Sequence, residues 1–157
     1  MGSDALIDGV ILSELCQIHD ERGAVLHMLR SDAKEFTKFG ECYFSEIMPG
    51  AIKAWKRHYL QTQNFAVPVG RIRLVIYDNR TKSNSYGKLS IIDLGRPDDY
   101  FRVQIPPGLW YGFQCLNHTP ALLTNCADML HDPTESEVLP LDSEEIPYRW
   151  IASPKHD

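Results

Sequence analysis

The chain lacks most features that would commit it to a membrane, a structural metal or a nucleic acid. Its 157 residues contain no run of about 18 or more apolar residues, so it offers no candidate for a membrane-spanning helix. The opening MGSDALIDGVILSE has no basic stretch ahead of an apolar one. It does not read as a secretory signal, and a cytoplasmic protein is the expectation. Cysteine is sparse: Cys16, Cys42, Cys115 and Cys126, with no Cys-x-x-Cys pair and no zinc-finger spacing. Without a signal, these read as reduced core thiols. Net positive charge is also missing. The formal balance is −5, the wrong sign for a nucleic acid or an anionic membrane surface. An anionic small molecule would need a local basic cluster, so the placement of Lys and Arg matters.

What the chain does have is a succession of short β-branched and aromatic segments cut by Gly, Pro, Asn and Asp. Strands are expected near residues 9–13, 24–30, 41–48, 51–60, 64–69, 71–78, 88–94, 101–105, 110–115 and 120–127. Residues 77–88 form a turn-rich connection, and residues 32–37 suit a single helical turn. Many short strands and little helix predict an all-β sandwich or barrel in one domain, 1–157. Its core is expected at about residues 24–127. An acidic tail, 131–157, is expected to wrap the barrel without joining it. Strict period-two alternation would put Ile52, Ala54, Lys56, His58 and Leu60 on one face, and Lys53, Trp55, Arg57 and Tyr59 on the other. Ile72, Leu74 and Ile76 are similarly set against Arg71, Arg73 and Tyr77.

One spacing stands out. Gly50, Lys56, His58, Gln63 and Gly70 keep the intervals of the first metal motif of cupin β-barrels, in which a His-x-His pair and a Glu stand between two glycines. Here Lys56 replaces the first His and Gln63 the Glu. Pro106, Gly108, Tyr111 and Cys115 fit the second motif, with Tyr111 where its His would be. One imidazole does not hold a catalytic divalent ion, which takes about three protein ligands. No metal and no other cofactor is therefore expected, and a metal-dependent oxygenase is disfavoured.

The ordered segments DERG (20–23), GECYFSEIMPGAIKAW (40–55), YDNRTKSNSYG (77–87), IPPGLWYGFQCL (105–116), HDPTESE (131–137) and IPYRW (146–150) carry a more specific resemblance. Together they resemble the dTDP-4-dehydrorhamnose 3,5-epimerase family, over about residues 18–150, in a divergent branch with a W-H-x-H-type motif. The resemblance implies a cupin-type jelly-roll β-barrel and a homodimer with an exchanged N-terminal strand, to which the apolar run Gly9-Val10-Ile11-Leu12 lends support. It further implies a nucleotide-sugar substrate. The family removes a proton beside a ketone with a His–Asp base, steadies the enolate with a Lys and returns a proton from a Tyr.

By position, the family's base falls at Lys56, its enolate Lys at Gln63, and the His of the second motif at Tyr111. The family's acid Tyr has no counterpart, because residues 121–130 contain no tyrosine. The carboxylate partner of the base is expected near Asp142 or Ser143. Lys56, His58 and Tyr111 are the catalytic candidates. Each has a structural alternative: a lysine reaching the barrel mouth or pairing with Glu41, a satisfied core histidine, a core tyrosine. Arg22, Glu41, Tyr43, Lys53, Gln63 and Trp110 are the substrate-binding candidates, with Trp55 and Trp110 able to stack a base or sugar. Arg22 matches a diphosphate-binding arginine of the family, and Lys53 keeps the charge of another. The implied function is epimerisation or isomerisation of a dTDP- or other NDP-linked 4-keto-6-deoxy sugar. The alternative is a silent or regulatory nucleotide-sugar-binding cupin that has lost its base.

Overall fold

A computed structural model describes residues 6–151. Two five-stranded antiparallel sheets face each other as a jelly-roll barrel. In chain order the strands are β1 (Ile11–Glu14), β2 (Gln17–Asp20), β3 (Gly23–Leu26), β4 (Glu41–Ile47), β5 (Ile52–His58), β6 (Gln63–Val69), β7 (Arg71–Tyr77), β8 (Leu89–Gly95), β9 (Phe101–Ile105), β10 (Trp110–Cys115), β11 (Ala121–Ala127) and β12 (Ser136–Val138). The first sheet runs β1-β9-β6-β11-β4 and the second β12-β5-β10-β7-β8. β2 and β3 form a separate hairpin. No α-helix occurs among the described residues; the only helical piece there is a 3-10 turn, Pro133–Glu135.

Alternation builds the interior. Ile72, Leu74 and Ile76 of β7 point inward and meet Phe65, Val103, Leu123 and Phe113 from both sheets, as the period-two pattern predicts. Gly70 makes the turn between β6 and β7 at a φ of +79°, and a Cβ there would sit 2.7 Å from Ala121 Cα. Both the left-handed backbone and the close approach require glycine.

Three expectations are corrected. Residues 32–37 make consecutive turns rather than a helical turn. The predicted strand at 24–30 ends at Leu26 and pairs with β2, which alternation did not reveal because its residues are mostly exposed. The tail joins the barrel: β12 pairs with β5, and Trp55 and Leu139 extend the ladder with reciprocal backbone bonds of 3.0 and 3.1 Å. Ile146, Tyr148 and Trp150 then cover the outer face of the second sheet, packing on Trp55, Val75 and Trp110.

Candidate functional site

A cavity of about 270 Å³ opens between the two sheets. Tyr43 and Ser45 of β4, Phe65 of β6 and Leu123 of β11 form one wall. Lys53 and Lys56 of β5 with Tyr111 and Phe113 of β10 form the other. A larger hollow of about 430 Å³ lies between β1, β8 and β9. Its charged lining residues are Arg71, Asp93 and Asp99, all held in ion pairs. The smaller cavity is the candidate site, because Lys53, Lys56, Tyr43 and Tyr111 line it.

A β-bulge sets the composition of the second wall. Tyr111 pairs with Lys56 but Phe113 pairs with Lys53, so Ala54 and Trp55 together oppose the single residue Gly112. A Cβ on Gly112 would stand 2.5 Å from Ala54 Cβ, so the bulge depends on glycine at that place. The extra residue reverses the alternation. Above the bulge Lys56 and His58 face inward, as strict period two predicts. Below it Ala51 packs on the core and Lys53 lines the cavity, while Ala54 packs in the outer cluster. Lys53 was expected on the opposite face from Lys56; the bulge brings both ammonium groups to one wall.

Behind that wall lies a buried titratable series. Tyr111 OH is 3.0 Å from His58 Nε2, and His58 Nδ1 makes a short contact to Glu135 Oε1. Tyr111, His58 and Glu135 are all nearly closed to solvent. Asp132 caps the 3-10 turn through Thr134 N at 2.9 Å, with Pro133 at its start, and the turn aims Glu135 inward. The second carboxylate oxygen of Glu135 accepts from the backbone N–H groups of Leu60 and Gln61, each at 3.2 Å. Burial favours the uncharged carboxyl, but the bonds from His58, Leu60 and Gln61 outweigh it and hold Glu135 below its ordinary range. Burial lowers the His58 pKa against the opposing pull of Glu135. Burial, with Tyr43 and Glu135 adding, pushes the Tyr111 phenol well up. These shifts agree on one state at neutral pH: carboxylate, neutral imidazole and phenol. Nδ1–H then donates to Glu135, and Nε2 accepts from the Tyr111 hydroxyl.

The opposite wall is built differently. Asn125 Nδ2 donates to Tyr43 OH at 2.9 Å and to Gln63 Oε1 at 2.6 Å. Gln63 Nε2 donates to Gln61 Oε1, and Gln61 Nε2 to the carbonyl of Met129. This amide ladder has no group that titrates near neutrality. It fixes the Tyr43 ring at the cavity, facing Lys56 and Tyr111 across it. Lys53 Nζ donates to Ser45 Oγ at 2.8 Å, tying the two sheets together at the cavity.

Of the residues expected at the site, Lys56, Tyr111, Tyr43 and Lys53 line the cavity and His58 stands directly behind Tyr111. Four others are placed elsewhere. Arg22 sits at the tip of the β2–β3 hairpin, strongly exposed and paired with Asp20 at 2.6 Å. Gln63 is turned into the amide ladder rather than toward the cavity. Trp110 points to the outer face, where the Arg57 guanidinium lies 4.7 Å from its ring centre and the tail buries it beside Trp55. Glu41 is half-buried at the end of β4 and does not line the cavity. Lys56 does not pair with Glu41 and makes no ion pair among the described residues.

Glu135 is the candidate site residue that sequence reasoning missed. The carboxylate partner of the histidine was expected near Asp142 or Ser143, but it comes from seven or more residues earlier, at the turn that leads into β12. The only signal was the Asp-Pro-Thr-Glu run, an N-capped turn ending in a carboxylate. Metal ligation has little to work with. Both ring nitrogens of His58 are engaged, and no group of three or more His, Cys, Asp or Glu side chains converges among the described residues.

The chain is similar to several known proteins. A family model described as dTDP-4-dehydrorhamnose 3,5-epimerase covers residues 4–157. A crystal structure of a dTDP sugar isomerase from Desulfovibrio desulfuricans G20 is 54% identical, with a TM-score of 0.90 over 92% of each chain. The spore coat polysaccharide biosynthesis protein SpsL of Bacillus subtilis (strain 168) is 30% identical over 147 residues, 92% of this chain and 97% of its own. The probable low-salt glycan biosynthesis epimerase Agl13 of Haloferax volcanii is 36% identical over 131 residues, 82% of this chain and 80% of its own.

Proposed function

We propose, because the chain belongs to the dTDP-4-dehydrorhamnose 3,5-epimerase family, that it is an isomerase acting on a dTDP-linked 4-keto-6-deoxy sugar in deoxysugar or surface-polysaccharide biosynthesis. The observation that carries this reading is the Tyr111–His58–Glu135 series ending at a cavity wall that also bears Lys56.

The chemistry follows from the states of these groups. A carbon next to a ketone gives up its proton only if a base stands at that carbon and positive charge meets the growing enolate oxygen. The Tyr111 oxygen takes the proton while its own phenolic proton passes to His58 Nε2. The resulting imidazolium is steadied by the Glu135 carboxylate at Nδ1, so the phenol's raised pKa does not leave a bare phenolate. A neutral His58 is what this transfer needs, and burial supplies it. The Lys56 ammonium stabilises the enolate oxygen. Tyr43, from the other sheet, delivers a proton to the opposite face of the sugar. Lys53 supplies local positive charge of the kind an acidic chain needs to hold a nucleotide diphosphate. The binding-only alternative rested on a lost base. The His58–Glu135 pair supports a working one in a different place, with Lys56 as an electrostatic partner rather than the base itself.

Arg22 is carried on a hairpin outside the barrel, and β1 is an edge strand of the first sheet. We take these as support for a homodimer in which the arm of one copy serves the site of the other. A cytoplasmic location is part of this proposal; no helix among the described residues is long and apolar enough to cross a membrane.

The test is solvent exchange. In deuterium oxide, dTDP-4-keto-6-deoxyglucose should gain deuterium at C3, at C5 or at both, read by NMR. Saturable binding of the sugar nucleotide with no exchange at either carbon would overturn the isomerase reading. Sedimentation as a monomer at micromolar concentration would overturn the shared site.

A further inference from the structure

β4 is the wall strand that carries Tyr43, and it is bonded on one side only, to β11. Its inward residues, Tyr43 and Ser45, line the cavity. Its neighbours in sequence therefore point to the outer face. There Cys42 stands directly opposite Cys126 in the β4–β11 register, with the two sulfurs 3.3 Å apart. Cys42 is exposed and Cys126 half-buried. Each cysteine is one residue from a partner in the hydrogen bond that fixes the cavity wall, Asn125 Nδ2 to Tyr43 OH. Directly opposed residues of an antiparallel pair have Cβ atoms about 4.5–5.5 Å apart, and a disulfide needs about 3.5–4.5 Å. An edge strand with a single neighbour can make that small closure.

We infer that Cys42 and Cys126 are a dithiol–disulfide site, taking a low-molecular-weight disulfide as its oxidant, and that closing it clips the Tyr43 strand to β11. The exposed Cys42 thiolate attacks the reagent disulfide, forms a mixed disulfide and releases one small thiol. The Cys126 thiolate then attacks the Cys42 sulfur and releases the second. The protein loses two electrons and two thiol protons, and the reagent is reduced to two thiols. The order follows from the surroundings. Burial, and the hydrogen bond to Cys42, push the Cys126 thiol up to about 12, with the nearby Arg102 guanidinium opposing. Cys126 is thus a poor first nucleophile. The part of its shift due to the Cys42 thiol disappears once Cys42 is in the mixed disulfide. Cys115 is buried with its thiol directed at the carbonyls of Asn117 and Thr119, and Cys16 lies between β1 and β2.

The test uses the full chain and oxidised glutathione under native conditions. The expected product has lost two of its four thiols and weighs two hydrogens less. It yields one linked peptide joining Cys42 to Cys126. Cys16→Ser should leave this unchanged, and Cys42→Ser and Cys126→Ser should each abolish it. Amides of residues 41–47 should exchange with deuterium about tenfold or more slowly in the oxidised protein, and dithiothreitol should restore the faster rate. A stable glutathione adduct on Cys42, a bridge to Cys16 or between chains, or a bridge that leaves β4 exchange unchanged would overturn the inference. None of these readouts uses the isomerase reaction, so they stand or fall apart from the functional proposal.

Discussion

The two walls of the cavity are made of the same fold element, an antiparallel strand pair, and of different chemistry. The β5–β10 wall carries two lysines, and a tyrosine backed by an imidazole and a carboxylate, each able to hold or move charge. The β4–β11 wall carries a tyrosine backed by three amides, Asn125, Gln63 and Gln61, which position but do not titrate. The difference assigns labour. In the proposed mechanism, proton removal belongs to the wall with a sink for the proton, and the other wall presents a donor whose orientation is fixed. A similar contrast runs through β10. Tyr111 faces the cavity, while its neighbour Trp110 faces the tail.

The sharpest way to break the contrast is to remove one hydroxyl from the titratable wall. Tyr111→Phe keeps the ring and its packing on Phe65 but removes the link between substrate and His58. Turnover should fall by about a thousandfold with little change in folding, the scale of losing a positioned proton-transfer group. An activity within tenfold of wild type would place the base elsewhere. One residue away the effect should change kind. Trp110→Ala empties a buried site between Arg57 and the tail cluster and should cost about 3 kcal/mol of stability in a denaturant titration. The protein that remains folded should turn over at close to the normal rate. A large loss of turnover with intact stability would return Trp110 to the site.

Much of this contrast was legible in the sequence, because alternation is a strong constraint. Ile72, Leu74 and Ile76 fall inside, and Lys56 and His58 share the inner face, as the residue pattern alone predicts. What alternation cannot carry is an insertion that shifts its phase. Nothing local in Lys53-Ala54-Trp55 announces a bulge, so Lys53 falls on the wrong face in a strict reading. The signal lies 57 residues away in Gly112, the one residue small enough to oppose Ala54. Glu135 escaped for a related reason. The tail is acidic, and which of its carboxylates turns inward depends on where β12 docks on β5, a long-range pairing that composition does not encode. Arg22 and Trp110 were drawn to the site by residue type and motif position. An outward strand face puts Trp110 elsewhere, and a hairpin leaving the barrel holds Arg22 away from the cavity of its own chain.

Within the titratable wall, Lys56 and the tyrosine series have separable roles, and removing the charge tests this. Lys56→Met keeps the aliphatic stem and loses the ammonium. Turnover should fall by about a hundredfold through the enolate, the scale of removing one oxyanion-stabilising group. Exchange of the substrate proton should fall with it. If Lys56 were the base instead, Lys56→Met should abolish exchange entirely while Tyr111→Phe remained active. Comparing the two variants under one assay decides between those assignments.

The smallest expected change concerns acid. His58 holds its pKa below the ordinary histidine value of about 6.5, and Glu135 lies below its ordinary value as well. A proton on Nε2 ends its role as acceptor for Tyr111, so turnover should decline as pH falls through the lowered His58 pKa. The sign for stability is the same for both groups. Below about 6.5 the unfolded chain protonates its histidine before the folded one does, and Glu135 follows at more acid pH, so each step downward favours unfolding. Glu135→Gln separates the two contributions. It removes the carboxylate that pulls the His58 pKa upward, so the imidazole should titrate at still lower pH, read by NMR of the ring protons. The imidazolium formed during proton transfer then lacks its counter-charge, and turnover at neutral pH should drop by about tenfold, a loss of roughly 1.4 kcal/mol in the barrier. If the wild-type His58 instead titrated above neutral pH, the imidazole would be charged at rest, and the β5–β10 wall would be acting through a cation rather than a relay.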